Sequence, residues 1–587
     1  MQEYKFRVDV LIIGAGPVGL ITAFQLAKFG GVSVRIIEKV TKEKQNAYGR
    51  AITLFPRTSE MLDQLGLADE LLQDCFACHD TVTYNAQGEE VHGRGWSFMQ
   101  DMKDTAFDFA LVLRQKFQED IFRNALAKYD VQVETPVELM YAEVDHHTEV
   151  GNYRVGAILR DNLKKETELV FCKYLIGCDG GQSSVRSIFN IPFEGTTTED
   201  RWVRIDGQVK TDLPKPRTYC SIESPTHGNV LWAALDHGAT RIGYAFSDDR
   251  ASAYTVFDQA AAVKEAVAAV KPFHIEFERV HWWTIYTVGQ RIAKQFFAED
   301  CIFLAGDSCH THSSGAAQGM NTGIHDAVNL SWKLSLVLRK LALPSLLNTY
   351  QSERLPNVQR LIQYDKDISR LMTNRLPENW RGDPEADVNV VLGQILKEAG
   401  AFNSGLGISY EICRSNFLNV PGSFRSLEPT VGPGMRGPDI TLLRPGTFEP
   451  TRLIRELPNL ARFNVLVFAP ENTPASVSRI YKGLSDSILF QPLQEKGCVT
   501  FITILPHRAS SPYELLQYDR LGRAFFDEGG HRSYQRFGIE PAKGAIVVLR
   551  PDGWIGTMIS LDDGDDGAVT ELIGYFGIVF LGLVAHI

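Results

Sequence analysis

Cys309, His310 and His312 stand within four residues of one another in FLAGDSCHTHSSGAAQGMNTGIHDAVNLSW. Thiol and imidazole are ligands that hold zinc. The same stretch offers a different chemistry. An apolar run ends at Gly306-Asp307, small residues follow, and Ile324, Val328 and Trp332 then recur at helical spacing. A carboxylate at the end of a buried strand, beside a loop of small residues, is placed to hydrogen-bond a polyhydroxyl chain. The metal reading needs a fourth ligand at a clear spacing and finds none, so no metal site is expected. The single C-x-x-C, Cys75 to Cys78, lacks the second pair that a zinc site takes. The nine cysteines therefore read as reduced core thiols of a cytoplasmic protein.

Strands and helices must position such residues, and the N-terminal stretch VDVLIIGAGPVGLITAFQLAKFG shows how. Its apolar run from Val8 to Ile13 is that of a strand buried on both faces. Gly14-Ala15-Gly16-Pro17-Val18-Gly19 follows, a G-x-G-x-x-G with Pro17 where a helix starts. Leu20, Phe24 and Ala27 then recur at helical spacing until Gly30-Gly31 ends the helix. Gly14 permits a tight turn, Gly16 lets a pyrophosphate approach the backbone, and Gly19 lets helix and strand pack closely. The helix N-terminus offers partial positive charge to that phosphate. The next strand, VSVRIIE, ends at Glu38, whose carboxylate suits a ribose hydroxyl at roughly the 20-residue spacing of dinucleotide-binding units. NAD and FAD share the ADP half that this unit grips, so it leaves both open.

KYLIGCDGGQSSVR supplies another strand end, at Asp179-Gly180-Gly181, with Arg186 about one helical turn further on. The helix after Asp307 is expected to begin near Met320 and Asn321. Its free N–H groups suit the N1/C2 carbonyl edge of a flavin.

At 587 residues the chain is too long for one core, and about 150 residues per domain suggests three or four. A net charge of -11 excludes nucleic acid and anionic membranes as partners. RWVRIDGQVKTDL and GNVLWAALDHGATRIGYAFS alternate and are rich in Val, Ile, Trp and Tyr, which predicts an antiparallel sheet. EPTVGPGMRGPDITLLRPG is turn-rich and reads as a boundary. Beyond it FNVLVFAP, CVTFITILP and AIVVLRPDGWIGTMI alternate with helical stretches. The terminal LIGYFGIVFLGLVAHI is shorter than the roughly 20 residues of a membrane span, so a packed helix and no membrane insertion are expected. Nothing at the start resembles a signal peptide.

Taken together, GAGPVG, CDGGQSSVR and AGDSCHTHSSGAAQGMN resemble the motifs of class A flavoprotein monooxygenases, the p-hydroxybenzoate hydroxylase fold. GRAITLFPRTSEMLDQLGL and IYTVGQR direct the resemblance to the phenol hydroxylase (phenol 2-monooxygenase) branch, and it covers nearly the whole chain. It implies an α/β protein: a Rossmann-type FAD-binding domain with an inserted antiparallel-sheet substrate domain, plus a C-terminal thioredoxin-like domain. The expected layout is 1–80, 108–192 and 290–368 for FAD, 81–107 and 193–289 for substrate, a linker and helical segment at 369–430, and the thioredoxin-like domain at 431–587. ENTP stands after NVLVFAP where a C-x-x-C would be, so that last domain has no thiol redox chemistry and serves dimerisation or structure.

The resemblance further implies that NAD(P)H reduces FAD as a transient co-substrate, there being no second G-x-G-x-x-G unit. The reduced flavin reacts with O2, and a C4a-hydroperoxide transfers one oxygen to a phenolic or polyketide-derived aromatic. Epoxidation, Baeyer–Villiger insertion or oxidative dearomatisation by the same flavin chemistry is the alternative, and a non-catalytic scaffold a third reading. By position, Gly14, Gly16, Gly19 and Glu38 match the residues for the ADP half. Arg50, Arg114 and Gln115 match contacts to FAD phosphate or ribityl groups. Asp179 and Gly180 match the Asp-Gly motif, Gly306 and Asp307 the ribityl site, and Gly319, Met320 and Asn321 the backbone facing the isoalloxazine. Tyr286 matches the catalytic tyrosine over the active site, and a homodimer is the implied assembly. Trp202, Arg204, Trp282 and Trp283 are candidate pocket residues.

Two positions depart from the family pattern. Phenol hydroxylases follow GRA with an Asp thought to help deprotonate the phenol, and here Ile52 stands there. An unaided phenol, with a reference pKa of about 10, is mostly neutral at pH 7. A more readily ionised substrate is therefore expected, such as a polyhydroxylated or acylated aromatic or an enolisable polyketide. Ser314 replaces a common proline, and Ala317 stands where glycine is frequent.

Overall fold

The computed structural model describes residues 6–45, 51–102, 104–313, 315–413, 415–488, 490–561 and 565–580. Arg50 and Ser314 lie outside them. The continuous apolar runs form parallel strands, as burial on both faces requires. Ile302–Leu304, Thr167–Gly177, Arg7–Ile13, Val34–Ile37 and Val133–Glu134 pair in that order, all parallel. Val10, Leu11 and Ile12 are completely buried. The helix Pro17–Phe29 starts at its proline, ends at Gly30 (φ 74°), and packs between the helices Gln115–Ala127 and Gly319–Leu338.

The alternating segments form an antiparallel sheet dominated by two long strands, Phe193–Thr211 and Ile275–Ala293. Thr240–Phe246, Gly228–Ala234 and Tyr219–Ser224 extend it, and Thr81–Tyr84 adds in parallel to the last. Strict alternation divides its residues between two faces. Val203, Ile205, Trp232, Ile242 and Tyr244 meet the helix Gln259–Ala269 through Ala262, Ala266 and Ala269. The opposite face carries Arg204, Tyr219, Leu231, Arg241 and Tyr286. Trp283 falls on the helix-covered side, so it does not belong to the pocket wall for which it was a candidate.

In the C-terminal sheet, Phe463–Phe468 lies between parallel Val499–Leu505 and antiparallel Ala545–Leu549, which pairs on with Ile555–Ser560. The helix Asp565–Val579 closes this thioredoxin-like arrangement, and Phe576 and Phe580 pack their rings on Phe463. Phe463 also meets Trp332 of the long helix edge to face, at 5.7 Å and 88°. The apolar core therefore runs unbroken from the first sheet into the last. No helix among the described residues is long and apolar enough to cross a membrane.

Candidate functional site

The parallel strands end along one edge, and their ends are hydrogen-bonded to one another. The Gly14 N–H donates to Ile37 O at 2.9 Å, Cys178 N to Ile13 O at 2.7 Å, and Ala305 N to Gly177 O at 3.0 Å. This joins the loops of Gly14–Gly16, Glu38, Asp179–Gly181 and Gly306–Asp307 in one crevice, where ligands of open α/β sheets bind.

The glycines play three different parts. Gly14 has φ 98°, and a Cβ there would lie 2.4 Å from Cys178 O. A Cβ at Gly19 would lie 2.0 Å from Gly14 O, yet one at Gly16 would meet no atom within 4 Å. Gly14 and Gly19 shape the turn, and Gly16 leaves open space beside the backbone of a helix N-terminus. The Glu38 carboxylate accepts from Ala15 N at 3.0 Å and Val40 N at 3.1 Å, which fixes it at the strand end. Asp179 Oδ2 accepts from Ser184 N and Val185 N, while its Oδ1 is buried without a partner among the described residues. Burial raises the Asp179 pKa, offset in part by the Ser183 hydroxyl and main-chain N–H groups. Arg186 ties the two acidic loops together, donating to Gly181 O at 2.7 Å and Ser308 O at 2.8 Å.

The crevice opens into a cavity of about 760 Å³ whose walls come from all three motifs and from the inner face of the antiparallel sheet. Gly16, Gln115, Gly180, Asp307, Gly319, Met320 and Tyr286 line it. Gly319 is the first residue of the helix Gly319–Leu338, and the side chain of its N-cap residue, Gln318, makes no capping bond. The Asn321 side chain turns away to the main chain, accepting from Phe55 N at 2.8 Å and donating to Thr53 O at 3.0 Å. Ala317 holds φ 52° in the preceding loop, a conformation that explains why glycine suits the position. An open Gly16, an unpartnered Asp179 oxygen and an uncapped helix end are the features a dinucleotide with a polar ring edge would satisfy, so the residues present fit FAD.

Arg114 is placed differently from the expectation. Its guanidinium is paired with buried Asp236, Nε to Oδ1 at 2.8 Å, and its N–H donates to Asp236 Oδ2 at 2.8 Å. The side chain thus straps the strand-to-helix turn before Gln115 to the antiparallel sheet and is not part of the cavity wall. Asp236 lies far off in sequence, in a short turn that no motif marks.

The sheet supplies residues that the motifs do not. Trp202, Arg204 and Asp206 face Ala245, Gly243 and Arg241 on one side and Tyr286, Thr284 and Trp282 on the other. Arg204 lies flat across Gly243, where a Cβ would come 2.2 Å from its Nη1, and is 5.9 Å from the Tyr286 ring. Arg241 bonds Asp206 through Nε at 2.6 Å and Nη2 at 2.8 Å, and stacks on Trp282. Burial raises the pKa of Tyr219, against the pull of nearby Arg204 and Arg241, so it stays a phenol O–H. Trp202 is buried beneath Arg204 and Trp282 beside Arg241, both outside the cavity wall. Arg241 and Tyr219 were absent from the sequence expectations, although alternation in ATRIGYAFS does place Arg241 on the face of Gly243.

Cys309, His310 and Asp326 bring ligand-type atoms within 4.8 Å of one another. Asp326 here orders the Gly306 turn: it accepts from Gly306 N at 3.0 Å, pairs with His310 Nε2 at 2.8 Å and takes Arg354 Nε at 2.7 Å. Burial alone would raise its pKa, but Arg354 and the His310 ring outweigh that and lower it from 3.8 to about 2. The stability Asp326 contributes is therefore present above its unfolded pKa and is lost as pH falls through about 2. Unfolding free energies from denaturant titrations between pH 5 and about pH 2 should fall by up to about 2 kcal/mol on this account, and Asp326→Asn should flatten that slope. An unchanged slope in the variant would refute the assignment.

Residues 7–365 match the family model described as FAD binding domain, and 414–582 that of the phenol hydroxylase C-terminal dimerisation domain. The chain is 30% identical to a phenol 2-monooxygenase of Aspergillus fumigatus, over 98% of this chain and 97% of that one. It is 28% identical to a 3-hydroxybenzoate 4-monooxygenase of Comamonas testosteroni, over 95% and 93%. Among solved structures, aklavinone-11 hydroxylase with FAD and aklavinone has a TM-score of 0.72 at 20% identity, covering 99% of this chain and 100% of that one.

Proposed function

Because the chain belongs to the FAD-dependent aromatic monooxygenases of the phenol hydroxylase family, we propose that it oxygenates a phenolic or polyketide-derived aromatic bound as its anion. The observation that carries this reading is the charge of the cavity wall. Arg204 and Arg241 line it beside Tyr219 and Tyr286, and Ile52 contributes hydrocarbon where phenol hydroxylases carry an acid.

When bound, FAD supplies the redox chemistry, taking hydride from NAD(P)H and activating O2 for transfer of one oxygen atom. Gly14, Gly16, Gly19 and Glu38 would hold its ADP half, Asp179 and Asp307 its linking chain, and the Gly319–Met320 backbone its ring edge. Arg204 and Arg241 hold the negative charge of the substrate's oxygen, and the Tyr219 hydroxyl donates to it. Leu231 and Val288 shed water from the ring's faces. An ionised ring is richer in electrons and reacts faster with an electrophilic oxygen. An acyl group lowers a phenol's pKa, so an acylated resorcinol reaches that state more easily than phenol.

Steady-state assays should give an acylated resorcinol a kcat/KM roughly tenfold or more above that of plain phenol, from about 1.4 kcal/mol of extra transition-state stabilisation. Faster turnover of phenol would overturn the reading. The dimerisation-domain match supports a homodimer, and nine free cysteines support a cytoplasmic setting.

A further inference from the structure

We infer that His312 is the residue that takes the proton from the substrate's hydroxyl. It lines the cavity, and its Nδ1 lies 3.0 Å from the carbonyl oxygen of Ser313. A carbonyl only accepts, so Nδ1 carries the hydrogen and Nε2 keeps a lone pair. That Nε2 is buried and has no hydrogen-bond partner among the described residues. It sits beside Gly319, another residue of the wall, 4.0 Å from where a Cβ there would stand. A buried acceptor left unsatisfied is costly and calls for a ligand.

The tautomer is held from behind. The N–H of Ser313 donates to Asp365 Oδ2 at 2.7 Å and its hydroxyl to Oδ1 at 2.5 Å. Gln290 Nε2 donates to the same carboxylate at 2.7 Å, and Asp365 is completely buried. Asp365 thus anchors the N–H and the hydroxyl of the residue whose carbonyl orients the imidazole. Among the described residues of the wall, Asp307 is the carboxylate, at the strand end assigned to the cofactor, and Arg204, Arg241 and Arg291 are the cations. None of the cations accepts a proton, and Ile52 cannot.

The step balances simply. The substrate O–H bond breaks, its electron pair stays on oxygen, and the proton bonds to Nε2. The imidazolium keeps its Nδ1–H bond to Ser313 O while Arg204 and Arg241 hold the anion. On product release the proton returns to the product's oxygen, and His312 ends the turnover neutral.

This inference rests on the reading that the cavity ionises its substrate, and the test separates the two. His312→Asn keeps an N–H near the Nδ1 position for Ser313 O and removes the acceptor. His312→Gln keeps a polar atom near Nε2. The probe is 4-nitrophenol, coloured as the anion and colourless as the acid, added to FAD-loaded enzyme below the probe's own pKa and read by difference spectra. Wild type should show bound anion, and His312→Asn bound acid, with flavin content unchanged. Turnover of a phenolic substrate should fall roughly 100-fold in kcat with little change in KM, and the deficit should shrink for a substrate already ionised in solution. Bound anion in both variants would overturn the role of His312 and leave the anion reading intact. Bound acid in wild type would overturn the anion reading itself. A changed flavin spectrum with unchanged probe ionisation would place His312 against the cofactor and also overturn the proposal.

Discussion

Gly19→Ala should give a protein without flavin. The added Cβ would stand 2.0 Å from the carbonyl oxygen of Gly14, and neither backbone can yield cheaply. Gly14 is itself pinned, with φ 98° and Cys178 O only 2.4 Å from where its own Cβ would be. Helix and strand must separate, and overpacking of this kind costs about 3 kcal/mol or more. The first turn of the helix would then lose the alignment that faces a pyrophosphate. The measurements are flavin absorbance per chain and the denaturant midpoint, and both should fall. Gly16→Ala makes the contrast. Nothing within 4 Å opposes its Cβ, so the fold should keep its stability while FAD affinity drops roughly 100-fold, about 2.7 kcal/mol. Equal stability loss in both variants would show that Gly16 is structural and not a phosphate contact.

A second large effect is expected far from the cavity. Glu353 is completely buried and accepts from Lys333 Nζ at 2.7 Å, Arg550 Nη2 at 2.9 Å, Asn329 at 2.8 Å and Asn416 at 2.9 Å. Burial would raise its pKa, but Arg550 and Lys333 reverse this and hold it below the usual range. Lys333, by contrast, is lowered to about 8 chiefly by burial. Lys333 and Asn329 come from the helix Gly319–Leu338, Glu353 from Asn348–Met372, and Arg550 from the end of a C-terminal strand. Glu353→Ala strands two buried cations at the seam between FAD-binding and C-terminal parts. Removing one partner of such a group costs about 3–5 kcal/mol. Arg550 keeps Asp552, 2.7 Å away, which sets the loss toward the lower end of that range. Chemical denaturation should show the loss, with the C-terminal part separating first. Glu353→Gln, which keeps the acceptor oxygen and shape, should lose less. A loss under about 1 kcal/mol in the alanine variant would mean the seam is held by its apolar contacts, Trp332 on Phe463 foremost.

How much of this could be read beforehand depends on sequence distance. Strand, glycine turn, helix and terminal acid lie within about 30 residues, and local backbone rules dictate each of them. The Gly14–Gly19 turn, the strand ends at Glu38, Asp179 and Asp307 and the helix from Gly319 were therefore legible, as was the alternation of the antiparallel sheet.

Other features needed the folded chain, because each joins charges from distant segments whose pairing no local pattern encodes. Arg114 is the clearest case: its position before Gln115 matched a cofactor contact, and only the arrival of Asp236 showed where its guanidinium is spent. Arg241 entered the cavity because Asp206 on the neighbouring strand neutralises part of its cost. His312 changed from an apparent metal ligand to a proton acceptor because Asp365 holds Ser313 and Ser313 orients the ring. By itself the sequence determined the strand, glycine-turn and helix units and the alternation of the antiparallel sheet, since turns and periodicities are local. The tertiary structure decided which buried charges meet, since a charge leaves water only when the fold brings it a partner.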